Sequence, residues 1–198
     1  MSELGPAIAL FEFRSISAGI VAGDLMIKTA PLDAIYAGTV HPGNYLVLVT
    51  GDTASVDEAV RVGSVSDDLS DMVFLPDIHP TVVDAVSGNK SAASVGDEAL
   101  GIVETSTVAA AIDAADAGVK AAEVDLGVIR LADGLGGKGY LFFSGVVAEV
   151  EAALDAARAR AEGHGNLLRS DLIAQLHGEM ADNLRGDVHF LTRVSAGT

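Results

Sequence analysis

The chain has 198 residues, 49% of them hydrophobic, so it holds enough apolar material for a sizeable core. It has no cysteine, which excludes disulfides, thiolate metal sites and a cysteine nucleophile. Twelve basic residues against 28 acidic give a net charge of −16; phosphate backbones and anionic lipid repel such a surface, so neither nucleic acid nor a membrane is an expected partner. The N-terminus MSELGPAIALFEF lacks the basic n-region of a signal peptide. No apolar run approaches the roughly 18 residues of a spanning helix, and the expected location is cytoplasmic.

In chain order, Ala7–Phe13 is apolar enough for a buried strand. Ser15 or Ser17 then caps a helix over Ala18–Thr29, and Pro31 stops it. Asp33–Val40 and Tyr45–Thr50 read as two strands of a hairpin turning at His41-Pro42-Gly43-Asn44. A second helix is predicted over Ala54–Val65, capped by Asp52 or Thr53, with a short strand at Met72–Leu75 and a short helix at Pro80–Val86. Ser87–Gly96 is small, polar and rich in Gly and Ser, as a linker is. The order then recurs: strand Leu100–Glu104, helix Val108–Ala121, strands Leu126–Leu131 and Tyr140–Ser144, helix Val147–Ala161, strand Leu172–Ala174, helix Glu179–Leu184. One more strand, Val188–Leu191, is possible in the tail.

The recurrence extends to individual residues. Shifted by 92 positions, Ala7–Ala30 matches Ala99–Ala122, with Glu12/Glu104, Ala18/Ala110, Ile20/Ile112, Asp24/Asp116 and Lys28/Lys120 identical. Further on, Gly51 pairs with Gly145, Val56 with Val150, Asp71 with Asp171 and His79 with His177. A period near 90 residues suits a complete small domain rather than a solenoid unit. The fold class expected is therefore α+β, two tandem ferredoxin-like βαββαβ domains at 1–88 and 97–198 joined by a linker at about 87–96. The offset changes from 92 to 94 across the central hairpin, so a two-residue length change falls in its turn. One copy has Val40, His41, Pro42, Gly43 and Asn44 there. The other has Ala132 followed by Asp133, Gly134, Leu135, Gly136, Gly137, Lys138 and Gly139. Duplicated domains keep their scaffold and diverge where each copy has its own task, which makes the two turns the leading functional locus.

The segment ALGIVETSTVAAAIDAADAGVKAAEVDL, Ala99–Leu126, closely resembles the first strand and helix of bacterial microcompartment shell proteins, and IALFEFRSISAGIVAGDLMIKTAPL follows the same pattern. With two copies in unpermuted order, the chain looks like the tandem-domain, trimer-forming type. The resemblance implies a homotrimer whose six domains form a pseudohexagonal tile. Tiles would meet other shell proteins edge to edge in a compartment shell in the bacterial cytoplasm, around encapsulated enzymes. It implies that the two turns, Val40–Asn44 and Asp133–Lys138, line a central pore for small metabolites. Lys28 and Lys120 match the family's tile-edge lysine. The family often carries an Arg just before the His of its fourth-strand turn; here LPDIHP and IAQLHG place Asp77 and about Gln175 there, which implies tile packing that is weaker or differently paired.

Each signal also has a plainer reading. The glycine-rich turn exposes backbone N–H groups beside Lys138, yet it matches neither Walker A nor GxGxxG, and no helix is predicted after it. A flexible turn, a pore-lining loop and a phosphate cradle all remain open on the residues alone. His41 is able to join symmetry mates around a metal, or to be a polar turn residue. Duplication of His79/His177 and of Glu12/Glu104 favours structural hydrogen bonds over a unique catalytic role. Asp24/Lys28 and Asp116/Lys120 are i,i+4 pairs in the favourable order. No nucleophile–base pair, metal cluster or paired catalytic carboxylates stand out, so neither enzyme activity nor a cofactor is expected. The competing function is a small-molecule-binding regulatory protein built from two such domains, with the glycine-rich turn as its ligand site.

Overall fold

The computed structural model describes residues 5–87 and 98–185. Apart from Ser87, the expected linker lies outside the described residues, as does the expected strand at Val188–Leu191. The first half runs β1 (Ala7–Phe13), α1 (Ile16–Thr29), β2 (Ala34–Val40), β3 (Asn44–Gly51), α2 (Thr53–Gly63), β4 (Leu69–Leu75) and α3 (Pro80–Val86). The second half runs β5 (Ala99–Thr105), α4 (Val108–Ala121), β6 (Asp125–Leu131), β7 (Gly139–Gly145), α5 (Val147–Gly163), β8 (Leu167–Ile173) and α6 (Gly178–Arg185). Each half forms an antiparallel four-stranded sheet, ordered β2-β3-β1-β4 and β6-β7-β5-β8. The fold is α+β with two βαββαβ units in tandem.

Caps set where the helices begin. The Ser15 hydroxyl accepts the Ala18 N–H at 3.2 Å, so α1 starts two residues before the expected Ala18. Thr107 plays the same part for α4, and Asp52 accepts from Ala54 and Ser55, both at 2.9 Å, for α2. The α1 helix stops before Pro31, which cannot donate to the turn behind it.

Strand register fixes which residues are equivalent. Ala7 faces Gly51 and Ala99 faces Gly145; Ile8 faces Leu75 and Leu100 faces Ile173. Beyond the second helix the offset is therefore 98, and the partner of Asp71 is Arg169, not Asp171. Glu12 faces Asp71 across the sheet where Glu104 faces Arg169. The reason is length: α5 has 17 residues against 11 in α2 and the connection after it is two residues shorter, a net shift of four. The α4–β6 connection is one residue shorter than α1–β2, and an extra residue between Leu126 and Ile129 in β6 restores the register through a bulge.

All seven residues of β1 are buried because both sheet faces are covered. Ala7, Ala9, Phe11 and Phe13 pack with Ala22, Met26, Val56 and Ala59 under α1 and α2. Ile8 and Leu10 point the other way. With Val73, Leu75 and Val82 they join one cluster with Val108, Ala109 and Ile112 of α4. The outer face of the first sheet thus lies against the first helix of the second half, and burial of that apolar surface holds the halves together.

Candidate functional site

Polar bonds line the seam between the halves from end to end. Near the hairpin turns, the Glu12 carboxylate accepts the Ala109 N–H at 2.7 Å, in the first turn of α4. Asp71, beside it, accepts from the Thr107 hydroxyl at 2.5 Å and the Asn166 amide at 2.8 Å. At the opposite end, Asp116 of α4 accepts the His79 N–H at 2.8 Å, and Lys120 donates to the Asp77 carbonyl and, at 2.7 Å, to Asp116. Burial drives the Glu12 pKa up from 4.5 to about 7; the Ala109 N–H opposes the shift and the charge of Asp71 adds to it.

The histidines are caps. His79 Nδ1 accepts the Thr81 N–H and His177 Nδ1 accepts the Glu179 N–H, both at 3.3 Å, opening α3 and α6. Among the described residues no three His, Asp or Glu side chains converge as a metal site, and His41 is exposed.

The two turns differ in build and lie against each other. The first is compact: His41-Pro42 is cis, and the Gly43 N–H bonds the Val40 carbonyl at 2.8 Å. Val40 packs against the cluster that contains Ala132 at the base of the second turn. The second turn is folded on itself by Ala132 N–H to Lys138 O at 2.9 Å and Leu135 N–H to Ala132 O at 2.9 Å. Its Gly134, Gly136 and Gly137 have φ of 74°, 65° and 89°, values that side-chain-bearing residues rarely adopt. A Cβ on Gly137 would sit 3.2 Å from Pro42 Cδ, so the turns are in contact.

Lys138 does not project freely from this turn. Its Nζ lies 2.7 Å from Glu104 Oε1 at the end of β5, which offsets its charge. Asp133, Gly134 and Gly136 are exposed, Leu135 half-buried and Gly137 buried. Strand β7 follows the turn, so no helix N-terminus stands behind it to hold a phosphate. Of the two lysines singled out in the sequence, Lys28 is 69% exposed and among the described residues pairs with Asp24 alone, at 2.5 Å, whereas Lys120 is 40% exposed and reaches across the seam. Thus the turns occupy one end of the seam and Lys120 the other. Sequence reasoning missed the seam residues Asp71, Thr107, Asp116 and Asn166, although the repeated Glu12/Glu104 was a signal of it.

No described helix is long and apolar enough to cross a membrane. The BMC domain family matches this chain twice, over residues 7–73 and 99–176. The chain is 38% identical over 179 residues to the bacterial microcompartment shell protein PduT of Citrobacter freundii, covering 89% of this chain and 96% of that protein. It is 40% identical over 95 residues to the shell protein EutM of Escherichia coli K12, covering 46% of this chain and 95% of that one. Among solved structures, a microcompartment protein from Desulfitobacterium hafniense matches with a TM-score of 0.75 at 37% identity, over 89% of this chain and 98% of that one. The fused permuted hexameric shell protein of the RMM microcompartment, at 21% identity and a TM-score of 0.54 over 78% of this chain and 81% of that one, shares the fold.

Proposed function

Since the chain belongs to the bacterial microcompartment shell proteins, with two BMC domains in tandem, we propose that three copies close into a flat ring of six domains around a central pore. The protein is a structural component of a microcompartment shell. In this reading the compact turn Val40–Asn44 and the longer turn Asp133–Lys138 alternate around the axis. The pore then has threefold character, and its selectivity follows from its width and the groups on its wall. Asp133 and Lys138 are both exposed on the longer turn, but Glu104 offsets the charge of Lys138 and leaves Asp133 as the turn's net contribution. Lys28 and Lys120 lie at the rim, where one tile meets the next shell protein. The reading assigns the chain no catalytic role; the pore admits small metabolites to enzymes inside.

The observation that carries this is the polarity of the seam. Two unlike turns touch at one end, and the helix end bearing Lys120 lies at the other. A ring built on such wedges brings the turns inward and the lysines outward. Light scattering should give three times the 20.1 kDa chain mass, and electron microscopy of concentrated protein should show sheets. Lys28→Ala and Lys120→Ala should keep the trimer and weaken the sheets. A monomer at all concentrations ends the ring reading; normal sheets from both variants end the edge assignment.

A further inference from the structure

The seam inside the chain has a counterpart with only its two outer surfaces present. Register makes α1 the equivalent of α4, and the residues buried on α4 by the first half are exposed on α1. Val108 and Ile112 are fully buried, while their equivalents Ile16 and Ile20 are 42% and 53% exposed. Asp116 is 6% exposed and Asp24 60%. The pattern recurs on the facing side: Val82 of α3 is fully buried and Met180 of α6 is 50% exposed, Leu75 is 4% and Ile173 37% exposed. Among the described residues, one chain therefore carries an open helix face on its first half and, on its second, a sheet face that α6 covers at Leu100 but that is open along β8 at Arg169 and Ile173.

Charge distinguishes this open pair of surfaces from the closed one. In the closed seam Asp71 meets Thr107 and Asn166. The equivalents are Arg169 on β8, Ser15 at the cap of α1, and Asp68 in the turn just before β4. The last equivalence rests on matching bonds, Arg14 N–H to Asp68 O and Ser106 N–H to Asn166 O, both 2.9 Å. We propose that the α1 face of one copy docks on the β5/β8 face of the next, with Arg169 of one copy paired to Asp68 of the other.

The chemistry favours this occupant over another arrangement. Arg169 is held by Asp171 through Nε at 2.6 Å and Nη2 at 2.9 Å, which leaves guanidinium donors for a second carboxylate. Beside the docking α1 face stand Asp67, Asp68 and Arg14; the receiving β5/β8 face carries Glu104, Lys138, Arg169 and Asp171. The first-half sheet face is already covered by α4 of its own chain, so the second-half sheet is the face left for a neighbour's α1, and Arg169 there meets Asp68 with opposite charge. By the same correspondence Glu104 lies at the N-terminal turn of the neighbour's α1, as Glu12 lies at that of α4.

This assignment rests on the ring reading above, and the test separates the two. Dissociation of the assembly on dilution, followed by sedimentation or mass photometry, is compared for wild type, Arg169→Asp, Asp68→Arg and the double variant. Each single reversal should weaken association by roughly tenfold or more, and the double reversal should recover most of that loss. Thermal melts of the diluted chains check that each variant folds; both side chains are exposed. Singles that associate as tightly as a trimeric wild type overturn the seam assignment and leave the ring standing. Weakened singles without recovery in the double overturn the direct pairing. A wild type that never associates overturns both.

Discussion

Helices α1 and α4 are the same element in two settings, and their residues differ accordingly. Helix α4 is buried on two sides, by α5 and by the sheet of the first half. It is built largely from alanine, with Asp113 held by Arg160 at 2.7 Å. Helix α1 packs on its own sheet and on the shorter α2, has no counterpart of the first-half sheet over its remaining face, and displays Ile16, Ile20, Val21, Leu25 and Ile27. Part of the contrast comes from α2, which is six residues shorter than α5 and leaves a groove lined by Val21, Leu25, Val62 and Val65. Duplication therefore supplied two copies of one docking face, and tethering consumed one of them. An exposed apolar stripe whose twin is a core element reads as an interface rather than as an accident of composition.

The largest expected effect is a matched pair of substitutions. Ile112→Ala removes a fully buried side chain from the cluster joining the halves and should cost about 4 kcal/mol in urea unfolding. Ile20→Ala, at the equivalent position, should change the stability of the dissociated chain by less than about 0.5 kcal/mol. It should instead weaken association on dilution. Equal losses of chain stability in the two variants would erase the contrast between the helices.

Glu12 and Glu104 provide the next contrast. Glu12 is 2% exposed with a pKa near 7, so folding takes up a proton between pH 4.5 and 7. The folded state binds the proton more tightly than the unfolded chain, and stability from this group falls as pH rises through that window. Glu12→Gln keeps an oxygen to accept the Ala109 N–H and removes the charge. It should match wild type near pH 4.5 and exceed it by about 3 kcal/mol at pH 8, measured by denaturant unfolding. Glu104 is paired with Lys138 and 36% exposed, so Glu104→Gln removes an ion pair rather than a buried charge and should cost a few tenths of a kcal/mol.

How much of this was legible in the sequence depended on which contacts shaped each residue. Strand β1 and helix α4 have the expected bounds because local apolar patterning and a Thr cap define them. Strands β4 and β8 begin earlier than expected, at Leu69 and Leu167. Their outer faces carry Asp71 and Arg169, polar residues that resemble loop; the partners of Asp71, Thr107 and Asn166, lie on the other domain. The repeated dipeptide Ser70-Asp71 and Ser170-Asp171 suggested an equivalence that register overrides, since the extra length in α5 moves the letters but not the ladder. The bulge in β6 had no sequence signal. The seam bonds join residues as far apart as Glu12 and Ala109, and nothing local announces them. The two turns stood out because their lengths differ, while their mutual contact needed coordinates.

Core volume offers a third way to sharpen the comparison. Gly118 takes the place that Met26 holds in the first half, and Phe143 takes the place of Val49. A Cβ on Gly118 would lie 2.1 Å from the tip of the fully buried Phe143 ring. Despite the higher helix propensity of alanine, Gly118→Ala should cost about 2 kcal/mol from overpacking. Phe143→Val should also cost about 2 kcal/mol, from the space it leaves. Together they should cost less than the sum by about 1 kcal/mol or more, because the ring that blocks the new methyl is gone. Strict additivity would mean that the halves do not fill equivalent volumes by exchanging large for small.

The smallest effect concerns the two lysines and separates a seam role from a rim role. Lys28→Ala removes one side of an exposed i,i+4 pair, worth a few tenths of a kcal/mol at most. Lys120→Ala removes a donor that crosses to the Asp77 carbonyl and leaves Asp116, only 6% exposed, without its nearby cation. Asp116 retains the His79 N–H at 2.8 Å, so the loss should stay near 1 kcal/mol rather than the larger cost of a stranded buried charge. Thermal unfolding of the dissociated chains should rank wild type and Lys28→Ala together, with Lys120→Ala slightly below. If docking between copies repeats the internal seam, the Lys28 ammonium finds the carbonyl of Gln175 on the neighbour, the equivalent of Asp77. The penalty for Lys28→Ala should then rise towards that of Lys120→Ala once the chains associate. A gap between the two that is the same in dilute and assembled protein would show that Lys28 has no partner across the ring.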